Sequence, residues 1–152
     1  MTKDVLVAIK GLQFDPEDED RDLETVNSAE YYKRGNSHYV LYEEVMEGFE
    51  GSIKNVIKLK GNTLDLTKKG LVNVHMIFEE NKKNMTSYST PFGDILVGID
   101  THRIGISEKE GKINVEVDYS LEMNYEHLAE CKITVDIRSK EEGITLNEKA
   151  GS

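Results

Sequence analysis

The sequence predicts an all-β fold, an antiparallel up-and-down β-barrel of about eight to ten strands. Three observations predict it. Between Tyr88 and Met123 apolar residues recur at every second position: Ile95, Val97 and Ile99 lead into Thr101 and Arg103, and Ile113, Val115, Val117, Tyr119, Leu121 and Met123 repeat the pattern after a turn. Turn signals such as Gly35-Asn36 and Thr90-Pro91-Phe92-Gly93 punctuate the chain at short intervals, and no stretch keeps a helical period. Strands joined in sequence by short turns avoid exposed edges most simply by closing on themselves.

The elements follow in order. Val5, Val7 and Ile9 alternate in a first strand that ends near Gly11. Asp15-Pro16-Glu17-Asp18-Glu19-Asp20 comes next, and it lacks the glycine and distal glutamate of a calcium loop, so a solvated acidic connection is expected. Thr25 to Lys33 is a second strand, paired through Gly35-Asn36 with a third from His38 to Met46. After Gly48-Phe49-Glu50-Gly51, the residues Ile53, Asn55, Ile57 and Leu59 mark one face of a fourth. Pairing Met46 with Ser52 would set Glu43 opposite Asn55, Leu41 opposite Ile57 and Tyr39 opposite Leu59. Short runs at Leu64 to Leu66, Val72 to Phe78 and Met85 to Ser89 precede the long pair, and a last strand runs from Cys131 to Arg138. Residues 1–138 read as a single domain and 139–152 as a polar, mobile tail.

Composition narrows the function classes. A chain of 152 residues buries one substantial core without staples. Its net charge of −10 opposes phosphate backbones and anionic lipid, so neither a nucleic-acid nor a membrane partner is expected, and the strip Lys54, Lys58 and Lys60 reads as edge protection. A single cysteine, Cys131, excludes an internal disulfide and fits a reducing cytoplasm. No leader or membrane span is visible, which also points to the cytoplasm.

Tyr42-Glu43-Glu44, the glycine-flanked lysine-bearing strand after it, Lys69-Gly70, and Tyr88-Ser89-Thr90-Pro91-Phe92-Gly93 followed by Thr101 resemble the YwiB-like family of uncharacterised bacterial proteins. The resemblance covers roughly residues 3–138 and implies a calycin-type, lipocalin-like β-barrel in the bacterial cytoplasm. It implies no chemistry.

The residues themselves show no phosphate loop, nucleophile elbow, paired-histidine motif or cofactor signature, so no cofactor is expected. The histidines His38, His75, His102 and His127 lie on different elements without ligand spacing. Parity turns Tyr39, Glu43, Asn55, Thr101, Arg103 and Tyr119 toward the barrel interior. Two readings compete for them. They form an internal polar network, or they bind the polar part of a small ligand whose apolar part lies along Ile95, Val97 and Leu121. On the outer face, the same register aligns Asp100, Asp118 and Asp136, a row that needs a cation, a basic neighbour or a shifted register. Outward-facing Leu6, Leu12, Val40, Val56, Leu71 and Ile77 are numerous enough to form an interface, one between two copies included.

The expected function is therefore non-catalytic binding of a small, partly apolar ligand inside the barrel. The alternative is a protein-interaction module, a homodimer among the options, that works through its outer face. A Glu43-centred acid/base enzyme ranks third, because no nucleophile or orienting partner accompanies the carboxylate.

Overall fold

Alternating apolar residues along almost every segment allow one inner face to be buried continuously, and the chain uses it that way. The structure, a computed structural model, describes residues 1–11 and 24–140. Its ten elements are all strands: β1 (Asp4–Lys10), β2 (Glu24–Arg34), β3 (Ser37–Glu44), β4 (Ile53–Lys60), β5 (Thr63–Gly70), β6 (Val74–Glu79), β7 (Lys82–Thr90), β8 (Gly93–Lys109), β9 (Lys112–Met123) and β10 (Glu126–Ser139). They form one antiparallel sheet in the order β6-β5-β4-β3-β2-β1-β10-β9-β8-β7, so the first and last strands of the chain lie side by side at its centre. The expected acidic loop around Asp15 and the outward Leu12 lie outside the described residues, as does the tail beyond Lys140. Ser139, expected in that tail, still pairs with Val5 as the last residue of β10.

The sheet curls until its edge strands β6 and β7 meet, which makes a nearly closed barrel. Closure there is incomplete. A single bridge joins Asn73 to Ser89, and the Asn84 side-chain amide donates to the Ile77 carbonyl at 3.0 Å. Inside, Val5, Val7, Ile57, Leu59, Leu64, Leu66, Met76, Phe78, Ile99, Val115, Val117 and Ile133 belong to one contiguous buried cluster. The bore is thus occupied by side chains, as in other small barrels.

Two local features overturn expected inward assignments. The connection from β3 to β4 pairs Glu44 with Ile53, one residue away from the expected register. A one-residue slip exchanges the faces of a strand. Val40 and Tyr42 therefore point inward, while Tyr39 and Glu43 point outward, and Tyr39 instead lies 5.6 Å from the Lys58 ammonium. The eight-residue connection, with Gly48 and Gly51 at positive φ, is too long for turn geometry to dictate the register, so burial of Tyr42 and Val40 decides it.

The second feature is a β-bulge in β8 between Thr101 and Arg103. The extra residue reverses parity beyond it, so Ile104 is buried and Arg103 points out, with its side chain 63% exposed. The carboxylate row disappears because both hairpins turn in other registers than expected, Lys109 pairing with Lys112 and Met123 with Glu126. Asp100 faces Ser120, Asp118 lies between Arg103 and Lys132, and Asp136 faces Asn114. Basic neighbours take the place of a cation: Arg103 Nε donates to Asp118 at 3.2 Å and Arg138 to Asp136 at 2.9 Å.

Gly70 closes β5 at φ +125°, where a Cβ would overlap the Ser52 carbonyl oxygen of the adjoining strand connection. Replacing it with alanine is expected to destabilise the fold by about 1–3 kcal/mol through backbone strain, with the clash adding to that. A thermal melt of Gly70→Ala that matched the parent would show that this corner yields freely.

Candidate functional site

Most of the inner face of the barrel is apolar, and at one end strand termini bring three polar side chains together. Glu44 ends β3, Asn55 lies near the start of β4, and Lys68 lies near the end of β5. Their convergence follows from the register: Glu44 pairs with Ile53 and Asn55 with Lys68, so all three fall on the inward face of adjacent strands. Lys68 Nζ donates to Glu44 Oε1 and to Asn55 Oδ1, each at 2.7 Å, and Asn55 Nδ2 donates to Glu44 Oε1 at 2.8 Å. A second Asn55 bond goes to the Ile53 carbonyl at 3.3 Å. The Lys68 and Glu44 side chains remain 16% and 30% exposed, so solvent reaches the group.

Two phenols flank it. Burial first, and the Glu44 carboxylate second, push both Tyr42 and Tyr88 above the ordinary tyrosine value. Both therefore stay neutral and serve as hydrogen-bond donors and acceptors. The turns at this end add Phe49 and Phe92, whose rings meet edge-on at 5.8 Å, together with the partly buried Met46 and Leu71. The result is a hydrated polar cluster beneath an apolar rim.

The raised phenols predict a sign for the alkaline limb. Tyr42 and Tyr119 ionise less readily folded than unfolded, so stability is full below about pH 10 and declines as pH rises above it, by up to about 1.4 kcal/mol per unit for each phenol. Urea unfolding at pH 9 and pH 11 measures this. Tyr42→Phe should flatten the slope, and an unchanged slope would exclude Tyr42 as a source.

Three other clusters are instructive. At the opposite end, the Tyr31 hydroxyl lies 2.6 Å from His38 Nδ1, and His38 Nε2 lies 3.5 Å from Glu108, which spans the barrel from β3 to β8. On the outer face, Ser120, His102 and Glu130 imitate a nucleophilic triad but are wired differently. Ser120 Oγ bonds both His102 Nε2, at 2.6 Å, and Glu130, at 2.6 Å, so the carboxylate does not orient the imidazole through its other nitrogen. Hydrogen bonds from His127 and Ser120 hold the Glu130 carboxyl below its ordinary value. The third is an outer groove of about 570 Å³ over β2, β3 and β4, lined by Glu30, Leu41, Glu43, Lys54 and Val56.

Of the residues expected at a site, Asn55, Thr101 and Tyr119 face the interior and are buried. Asn55 joins the Glu44–Lys68 group, whereas Thr101 and Tyr119 sit side by side on β8 and β9. Tyr39, Glu43 and Arg103 face outward and join neither, and Glu43 lines the outer groove. Sequence reasoning missed Glu44 and Lys68. The run Leu64, Leu66, Lys68 at period two was the available signal for Lys68.

Comparison with known proteins gives the family and the fold. A family model for a domain of unknown function (DUF1934) matches residues 7–135. The chain belongs to this family. Among solved structures, the ywiB protein from Bacillus subtilis is similar at 19% identity, with 90% of this chain and 92% of that chain covered and a TM-score of 0.73. At that identity the likeness establishes a shared barrel and nothing about ligands. No curated protein matches the chain. Among the described residues, no helix is long and apolar enough to cross a membrane. The family's function is unknown, and the functional reading must come from the cluster itself.

Proposed function

We propose that this DUF1934 protein is a lipocalin-like barrel of the bacterial cytoplasm that binds a small, partly apolar molecule without transforming it. The ligand meets the end of the barrel instead of its bore, because the bore is filled by the core cluster. The carrying observation is the convergence of Glu44, Asn55 and Lys68 within 2.8 Å of one another on a mostly apolar inner face, with the ammonium and the carboxylate still reaching water. A carboxylate and an ammonium side by side are complementary to a neutral or zwitterionic head group, since each charge can engage one end of such a group. Asn55 and the neutral phenols of Tyr42 and Tyr88 supply further donors and acceptors, and Phe49, Phe92 and Leu71 supply an apolar rim. Binding is favoured over catalysis because the cluster contains no nucleophile paired with a base.

The test is native mass spectrometry of freshly purified protein beside Lys68→Met. A retained small-molecule mass in the parent that is lost in the variant supports the reading. The same mass in both overturns it, as does no retained mass combined with no thermal shift on titration with zwitterionic amphiphiles.

The outer groove favours a second reading, an interface between two copies. Leu41 is exposed within it, and the groove carries Glu30 and Glu43 as well as Lys54, a mixed charge that suits a self-complementary two-fold contact. The same spectrum reads this reading directly: a dimer that Leu41→Glu converts to monomer supports it, and a monomeric parent excludes it.

A further inference from the structure

The ladder between β2 and β3 stops early. It runs from the pair Arg34 and Ser37 to the pair Glu30 and Leu41, yet β2 continues to Glu24 against β1 and β3 continues to Glu44 against β4. In the same register the next pairs would be Ala29 with Tyr42, Ser28 with Glu43 and Asn27 with Glu44, and none of them forms. The two strands therefore fork. Inner-face residues of β2 are uncovered there: Thr25 is exposed and Asn27 half-buried, although their β1 partners Ile9 and Val7 belong to the core. The groove of about 570 Å³ lies in this opening, since the inward Ala29, Tyr42 and Asn55 line it together with outward side chains.

The direction of the backbone identifies what the fork presents. Tyr31 N donates to the Lys3 carbonyl, so odd-numbered residues of β2 turn their main-chain groups to β1 and even-numbered residues turn theirs to β3. Glu30 and Leu41 are accordingly the last hydrogen-bonded pair, and Ser28 and Glu43 carry the next N–H and C=O groups on the two edges. Both residues line the groove.

We propose that this fork binds an extended peptide segment of a partner protein, which pairs its main chain with the edges at Ser28 and Glu43. A strand edge recognises a main chain whatever its sequence, and sites for alternate side chains supply the selectivity. Inward side chains of the segment would lie over Ala29 and Tyr42, which calls for apolar residues. On the outer side, Asp4, Glu30 and Glu43 outnumber Lys54 and Lys140 among the described lining residues, which calls for basic ones. The guest is thus a strand that alternates apolar and basic residues. The room available falls within the range of about 300–1,000 Å³ usual for ligand sites. This proposal does not depend on the small ligand at the Glu44–Lys68 cluster, although Asn55 belongs to both sites.

Amide hydrogen exchange of the full chain, followed by NMR with and without a pool of capped hexapeptides alternating apolar residues with lysine, tests it. Capping removes the terminal charges, so a response cannot come from the zwitterion site. The Ser28 and Glu43 amides should exchange freely in the protein alone and slow by about tenfold or more with the pool. Ser28→Pro should abolish the response, because it removes an N–H that faces the fork and leaves the β1 ladder intact, whereas Ser28→Ala should keep it. If Ser28→Pro does not fold, Glu43→Pro takes its place, since that N–H also turns to the fork. No slowing with the pool overturns the proposal, as does slowing that survives the proline variant. Amides already protected without peptide overturn it too: protection that rises with protein concentration identifies a second copy as the occupant, and protection independent of concentration identifies another segment of this chain.

Discussion

Phe78→Ala should lower the unfolding free energy by about 3–5 kcal/mol and the melting temperature by roughly 10 °C or more. Phe78 is 0% exposed and makes the edge-on contact with Tyr119 that joins β6 to β9 through the interior. Its strand is a sheet edge, tied to β7 by one backbone bridge just before the strand and one side-chain amide within it. Packing, rather than a hydrogen-bonded ladder, must therefore hold the seam shut. Removing the ring leaves a cavity where the backbone has least support to close around it. Urea unfolding measures the loss, and a change below about 1 kcal/mol would mean that the seam collapses freely and that the core does not depend on this contact.

The second large effect concerns the polar cluster. Lys68→Met should destabilise the protein by about 1–3 kcal/mol, because it strands a partly buried carboxylate on Glu44 and an acceptor on Asn55, which is 4% exposed. Adding Glu44→Gln should recover part of that loss. The glutamine carbonyl still accepts from Asn55 Nδ2, and no uncompensated charge remains. Urea midpoints of the two variants decide the matter. A double variant less stable than Lys68→Met would show that Glu44 has a stabilising partner apart from Lys68.

The strand plan was legible because it depends only on local alternation. Ile113 to Met123 and Ile133 to Ile137 keep one parity throughout, and the structure buries that parity. The inward status of Asn55, Thr101 and Tyr119 was legible for the same reason. Arg103 could have been placed correctly as well: the apolar positions switch from Ile95, Val97 and Ile99 to Ile104 and Ile106, and a change of parity within one strand is the mark of a bulge. Glu43 and Tyr39 could not. Both faces of β3 carry a mixture of apolar and polar side chains, so alternation alone leaves its orientation undecided.

The sequence by itself determined an all-β chain of about eight to ten strands, the parity of most of them, and membership of a family of unknown function, because period-two patterning and turn residues act over a few positions. The tertiary structure alone decided which carboxylate enters the barrel. Glu44 and not Glu43 meets Asn55 and Lys68, since the long connection after β3 leaves the register to packing, and a slip of one residue reverses every side chain on the strand.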